Sequence, residues 1–254
     1  LAFCLNTKEM GSNNIAIDVG NSSTKIGVFS RGLLIQTFTI KNPDLRKNRE
    51  LLYTYPAEKY ILSSVNTEVE RLLDVSKIEG KLLRLDTKTK LPIKIAYQSP
   101  DSLGKDRVAV AVAAFRLFSH QNVLVIDAGS CMTYDVVTIE GVYLGGGISP
   151  GIQMRLKALN RFTDGLPLLV WEESERPKNI GTTTISSMLS GVINGLILEI
   201  NGFIDEYRTQ FSDLKIVLTG GDANFFEKEL KNSIFADPNL VLKGLNEILE
   251  YNHS

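Results

Sequence analysis

An aspartate closing an apolar run, followed by glycine and then by hydroxyl side chains, occurs twice in this chain. Ile15-Ala-Ile-Asp18-Val19-Gly20-Asn21-Ser22-Ser23-Thr24-Lys25 returns as Val123-Leu-Val-Ile-Asp127-Ala-Gly129-Ser130-Cys131-Met132-Thr133. The chemistry such a segment suits is phosphate handling. A buried strand ending at glycine lets the backbone turn tightly and bring its N–H groups to an anionic oxygen, while the carboxylate meets the cation that neutralises the phosphate. A single copy is explained as well by a β-hairpin with a Gly-Asn turn. The second copy, together with Thr219-Gly220-Gly221-Asp222 near the C-terminus, favours paired phosphate turns, and two of them predict two half-domains facing one nucleotide.

A second constellation is Asp101-Ser-Leu-Gly104-Lys105-Asp106-Arg107, which opens an apolar helix. A carboxylate at a helix start is favoured by the dipole, so a simple cap explains it locally. Beside two nucleotide turns, the same carboxylate is what a kinase needs to accept the proton of an attacking hydroxyl. No G-x-x-x-x-G-K-[ST] loop occurs, and the Gly145–Gly151 run lacks the dinucleotide spacing.

These residues need strands and helices to position them, and the pattern supplies both. Strands are predicted at Asn14–Asp18, Lys25–Ser30, Leu33–Ile40, Tyr60–Val65 and Lys81–Asp86, with helices at Arg46–Tyr53 and Glu68–Val75. Pro92–Tyr97 reads as extended, Ser99-Pro100-Asp101 as a turn and Asp106–Phe118 as a helix. Strands at Val123–Asp127, Met132–Thr138 and Tyr143–Leu144 then precede the glycine run, which reads as a loop. A helix over Ile152–Phe162, an irregular stretch over Gly165–Lys178 and a long helix over Thr183–Tyr207 follow. That helix carries Gly191, Gly195 and Gly202, which predicts tight packing on a partner helix. A strand at Lys215–Leu218 and a helix at Leu240–Leu249 complete an α/β chain of two similar lobes, residues 14–118 and 119–254.

Composition is that of an ordinary soluble globular protein: 254 residues, 43% hydrophobic, 22% charged, net charge −1. It predicts no nucleic-acid partner, no membrane partner and a cytoplasmic location. No uninterrupted apolar run approaches the roughly 20 residues of a membrane span. Two cysteines and two histidines exclude a disulfide framework, a His-based metal site and a Ser-His-Asp triad. The chain begins with Leu, Met10 is a possible internal start, and residues 1–13 are set aside from the fold argument.

The two phosphate turns and the late Gly-Gly loop resemble the actin, sugar-kinase and Hsp70 superfamily, whose lobes are of ribonuclease H-like type. Four motifs in order resemble the type III pantothenate kinases more narrowly. They are Asp18-Val-Gly-Asn-Ser22, Gly104-Lys-Asp-Arg107, Asp127-Ala-Gly-Ser130 and Gly146-Gly-Ile-Ser-Pro-Gly151. Ser22 and Ser130 stand where that family has threonine, and Thr183 where it commonly has asparagine.

The resemblance implies ATP-dependent phosphorylation of pantothenate to 4′-phosphopantothenate, toward coenzyme A, by a homodimer using Mg²⁺ and a monovalent cation, K⁺ or NH₄⁺. It implies ATP contacts along Asp18, Val19, Gly20, Asn21, Ser22, Ser23, Thr24 and Lys25 and at Ser130, and a catalytic base at Asp106. Pantothenate contacts fall on Tyr97, Gly104, Lys105, Asp106, Arg107 and Thr184, and the monovalent cation on Asp127. Two alternatives stand beside it: a kinase of another small hydroxylated metabolite such as a sugar, and an accessory protein that kept the fold without turnover. Retention of Asp18, Asp106 and Asp127 together argues for the enzyme.

Overall fold

The computed structural model describes residues 13–172, 175–231 and 233–253. Cys4 and Met10 lie outside them. The chain forms two units. One comprises the residues up to Pro92, Ser99–Ala113 and the chain from Val241; the other comprises Ile93–Gln98 and Ala114–Leu240. The expected single boundary after residue 118 therefore differs from the observed division in three places: the short extended segment Ile93–Gln98 belongs with the second unit, the second unit begins already at Ala114, and the chain from Val241 belongs with the first.

In the first unit, β1 (Asn13–Val19), β2 (Ser23–Ser30), β3 (Leu33–Lys41), β4 (Lys59–Ser64) and β5 (Lys81–Arg84) form a sheet of order β3-β2-β1-β4-β5. β1 runs antiparallel to β2 and parallel to β4. The β2–β3 hairpin turns at Arg31 and Gly32, both at positive φ, the geometry favoured by two-residue hairpins. Ile15, Ile17, Val19, Ile26 and Val28 build one core with Leu45, Leu52, Leu62 and Leu73. Because both faces of the central strand are covered, β1 is buried along nearly its whole length, Asn13 and Asn14 included.

The helix expected over Arg46–Tyr53 is one α-turn, α1 (Leu45–Asn48), tightening into a 3₁₀ turn over Arg49–Tyr53. The second expected helix is likewise short. In α2 (Thr67–Arg71), the Asn66 side chain accepts from the N–H groups of Glu68 and Val69 and fixes the start.

The second unit repeats the plan. Its sheet has the order β11-β10-β7-β8-β9-β6, built from β6 (Lys94–Ile95), β7 (Val123–Ala128), β8 (Cys131–Val137), β9 (Val142–Pro150), β10 (Lys215–Thr219) and β11 (Phe235–Ala236). Leaving aside the two-residue β6, this is the strand order of the first unit, so the repeated motif marks a repeated topology. The glycine run is strand rather than loop. β9 pairs with β8 through it, Asp135 opposite Gly146 and Tyr134 opposite Gly147. Gly146 has φ +155°, and a Cβ there would lie 1.7 Å from the Tyr134 carbonyl oxygen, so only glycine admits the approach.

Helices α3 (Lys105–Leu117), α4 (Ile152–Arg161), α5 (Thr184–Leu189), α6 (Gly195–Gln210), α7 (Ala223–Glu229) and α8 (Leu240–Tyr251) complete the chain. α7 escaped the sequence pattern, being only 7 residues long. α5 and α6 are joined by a π-helical turn over Ser190–Asn194, making one run, Thr184–Gln210, of 27 residues.

By length and mean hydropathy (1.4) that run is apolar enough to cross a membrane, contrary to the expectation from uninterrupted apolar residues. Interspersed Gly, Ser and Asn keep the raw runs short while the average stays high. Half of its most apolar window is buried in the fold. Mid-helix Glu199 accepts hydrogen bonds from the Tyr134 and Ser149 hydroxyls and pairs with Arg155. Burial opposes its charge, yet those donors outweigh burial and hold Glu199 below the ordinary carboxyl range. The helical glycines do not pack as expected: Gly191, Gly195 and Gly202 have no atom within 4 Å of a built Cβ.

Candidate active site

In the first unit the register places Asp18 opposite Lys25 on β2 and beside Ser63 on β4. The Ser63 hydroxyl donates to Asp18 Oδ1 at 3.1 Å. The turn between β1 and β2 closes on the Gly20 N–H to Ser23 O bond, 3.1 Å. Asn21 and Ser22 at its tip are exposed. Two residues of the expected ATP loop point elsewhere. Val19 is core, and the buried Thr24 hydroxyl donates to Asn42 Oδ1 at 3.1 Å. Asn42 in turn donates from Nδ2 to the carbonyls of Gly20 and Asn21, both at 2.9 Å, and so braces the turn from below. Ser63 and Asn42 are the residues sequence reasoning missed. Nothing in the sequence placed Asn42 beneath the turn or Ser63 beside Asp18.

The Gly104–Arg107 motif lies in the same unit. Asp106 sits in the first turn of α3 and its Oδ1 accepts the Arg107 N–H at 2.8 Å. A Cβ on Gly104 would come within 2.5 Å of that oxygen, so glycine makes room for the carboxylate. Lys105 Nζ donates to the Ser64 carbonyl at 3.3 Å, tying the motif to the end of β4. Arg107 is buried, at 5% exposure.

Burial, and then the negative charge of Asp106, push the Asp18 carboxyl up to about 6, against the opposing effects of Ser63 and Lys25. The native state therefore binds this proton more tightly than the unfolded chain, so its contribution to stability is present below pH 3.8 and lost as pH rises to about 6. Comparing melting temperatures of the ligand-free protein and Asp18→Asn across that window checks the sign. Relative to the variant, wild type should lose stability as the pH rises.

In the second unit, Asp127 pairs across β7 with Thr133 on β8 and with Thr219 on β10. Two glycines let backbones converge here. Gly151 donates to the Ser130 carbonyl at 3.1 Å, and a Cβ on it would lie 2.1 Å from the Gly129 carbonyl. Gly220, at φ +99°, leaves the space in which a Cβ would lie 2.4 Å from Asp127 Oδ1 and 2.3 Å from the Ala128 carbonyl oxygen. Tyr97 follows β6 and packs on Tyr143, ring centroids 6.1 Å apart.

Thr184 begins α5, lines a groove of about 1400 Å³ together with Met154, Phe162 and Met188, and is exposed. Thr183 is the N-cap: its hydroxyl accepts the Ser186 N–H at 3.2 Å in a reciprocal capping box.

Among the described residues no group of three or more His, Cys, Asp and Glu side chains could hold a metal. The donor sets nevertheless suit cations that take most of their ligands from phosphate, water or backbone. Asp18 and Asp106 are carboxylates whose mutual repulsion a divalent ion on a nucleotide would relieve, the usual habit of Mg²⁺. Asp127 sits against the glycine-lined space and backbone carbonyl of its own unit.

A family profile described as type III pantothenate kinase matches residues 14–206. A type III pantothenate kinase of Christiangramia forsetii is 46% identical over 241 residues, 94% of this chain and 98% of that protein. Among solved structures, a conserved protein of Campylobacter jejuni assigned to the Baf family of transcriptional activators aligns with TM-score 0.62 at 23% identity, covering 94% of this chain and 98% of the other. A ROK family glucokinase from Streptomyces griseus aligns with TM-score 0.52 at 10% identity, covering 94% and 100%. The structural likenesses carry the fold, and the sugar-kinase type agrees with the lobes expected from the repeated motif.

Proposed function

The chain belongs to the type III pantothenate kinase family, and from that premise we propose that it transfers the terminal phosphoryl group of ATP to the primary hydroxyl of pantothenate. The observation that carries the reading is the pairing, within one unit, of a strand-end carboxylate and a helix-start carboxylate: Asp18 bonds Ser63 on β4, and Lys105, next to Asp106, bonds the adjacent Ser64 carbonyl. In it Asp106, oriented by the Arg107 N–H, takes the hydroxyl proton while the oxygen attacks phosphorus and the bond to ADP breaks. Asp18, set by Ser63, holds the magnesium nucleotide, and Lys25 and the turn N–H groups receive phosphate. A bound divalent ion supplies charge neutralisation on the phosphates. Tyr97, Gly104, Lys105, Arg107 and Thr184 contact pantothenate, and Ser130 contacts the nucleotide. A coupled ADP-release assay with pantothenate, and a panel of sugars beside it, tests this; turnover of a sugar in preference to pantothenate would overturn it.

The monovalent cation belongs at Asp127, where an unneutralised carboxylate would repel the polyanionic tail of ATP. Potassium or ammonium activates and sodium does so poorly. Exchanging them for a large organic cation at constant ionic strength and Mg²⁺ should abolish most turnover; unchanged activity withdraws the site.

We also place a second copy of the chain on the α5–α6 run. Gly191, Gly195 and Gly202 are open there, with Leu198 70% exposed between them, a small-residue apolar stripe that a symmetric partner would cover. Light scattering at micromolar concentration should give a dimer mass, and Leu198→Glu should give a monomer. A monomeric wild type would count against it. The protein acts in the cytoplasm, where its nucleotide is abundant.

A further inference from the structure

Tyr97 follows a strand of only two residues, too short to fix an aromatic side chain by itself. What surrounds it is more rigid. Tyr143 is opposite Ile95 in the parallel register, and its carbonyl accepts the Ala96 N–H at 2.9 Å, so the backbone approaching Tyr97 is tied to Tyr143. The two rings then meet at 6.1 Å between centroids and 50° between planes. Tyr143 is fully buried and its phenol donates to Asp135 Oδ1 at 2.7 Å. Asp135 is itself fully buried, and its Oδ2 accepts the Thr133 hydroxyl at 2.8 Å.

A carboxylate in a sheet interior costs stability that an apolar residue there would not, and a Tyr–Asp–Thr chain locks ring orientation in a way a packed phenylalanine does not. Gly145, at φ +103°, closes the Tyr97 surround, since a Cβ on it would lie 3.0 Å from Cδ2 and 3.1 Å from Cε2 of that ring.

We propose that Tyr143, anchored by Asp135, is a positioning residue that sets the plane of Tyr97 and thereby the fit of the acceptor substrate, with Gly145 leaving the space the ring needs. The inference rests on the reading of Tyr97 as a pantothenate contact. Tyr143 touches no substrate; it acts through Tyr97 alone.

Steady-state kinetics of Tyr97→Ala, Tyr143→Phe and the double variant test it. Tyr143→Phe should raise the KM for pantothenate about threefold to tenfold, the worth of one buried hydrogen bond, and leave the KM for ATP unchanged. In the Tyr97→Ala background the same substitution should add nothing. Asp135→Asn, which keeps an acceptor for the phenol, should retain near wild-type KM, whereas Asp135→Ala should reproduce Tyr143→Phe. Gly145→Ala, which crowds the ring edge at Cδ2 and Cε2, should also raise the pantothenate KM selectively, and carries the test if Tyr143→Phe does not fold. Additive effects in the double variant, or a parallel rise in the KM for ATP, overturn the inference. If Tyr97→Ala raises the pantothenate KM and neither Tyr143→Phe nor Gly145→Ala does, the inference falls while Tyr97 keeps its role. If Tyr97→Ala leaves that KM unchanged, the pantothenate contact fails and takes the inference with it.

Discussion

Replacing Asp106 by asparagine should lower turnover by about 10²–10⁴, the usual worth of a general base, with folding and nucleotide affinity preserved. Asparagine has the same shape and keeps an oxygen for the Arg107 N–H, so the first turn of α3 and the space left by Gly104 are undisturbed. What disappears is the proton acceptor. The substitution removes a negative charge that would attract the divalent ion, but it also removes the charge that helps raise Asp18, so Asp18 is more fully ionised to receive the magnesium nucleotide and the two effects offset. Turnover measured beside calorimetric titration of Mg·ATP separates the two. Near wild-type turnover would remove Asp106 from the chemistry and revive the accessory-protein alternative, which predicts a carboxylate without kinetic consequence.

Gly244→Val should be the most damaging single change outside the motifs, destabilising the protein by about 3 kcal/mol, the upper part of the range for overpacking a rigid contact. A Cβ at Gly244 would lie 1.8 Å from the Ala109 carbonyl oxygen and 2.5 Å from its carbon, backbone atoms that no rotamer change can move. The contact joins α8 to α3 one turn beyond Asp106. α8 buries Leu240, Val241, Leu242, Leu245, Ile248 and Leu249, and Asn14 Nδ2 on β1 donates to Asn246 Oδ1 at 3.0 Å and Glu250 Oε1 at 2.7 Å. Pushing α8 outward therefore loosens the supports of both Asp18 and Asp106. Urea denaturation of Gly244→Val against Gly165→Val, a position with no atom within 4 Å of its Cβ, measures the effect. Equal stability of the two variants would mean that the helix contact is not what holds α8.

Much of this was legible in the sequence because it depends on neighbours along the chain. Asp18 and Asp127 end strands, Asp106 opens a helix and Thr183 caps one, each set by a local pattern of apolar run, glycine and hydroxyl. The repeat went further, since two copies of one local pattern became two sheets with the same strand order. Tertiary structure decided what depends on partners remote in sequence. The Gly145–Gly151 run has a turn former's composition but lies in β9, because Gly146 can sit on the Tyr134 carbonyl where any other residue would clash. Ser63 and Asn42 became parts of the surroundings of Asp18 and the β1–β2 turn only through sheet register and a buried side-chain bond. The C-terminal helix left the half of the chain to which its position assigned it, because Gly244 offered Ala109 a backbone-to-backbone contact and Asn14 supplied two hydrogen-bond donations that reach more than 200 residues along the chain. Local sequence chooses strand, turn and cap through dihedral preference and nearest-neighbour hydrogen bonds, whereas the environment of a carboxylate is set by whatever the fold packs against it.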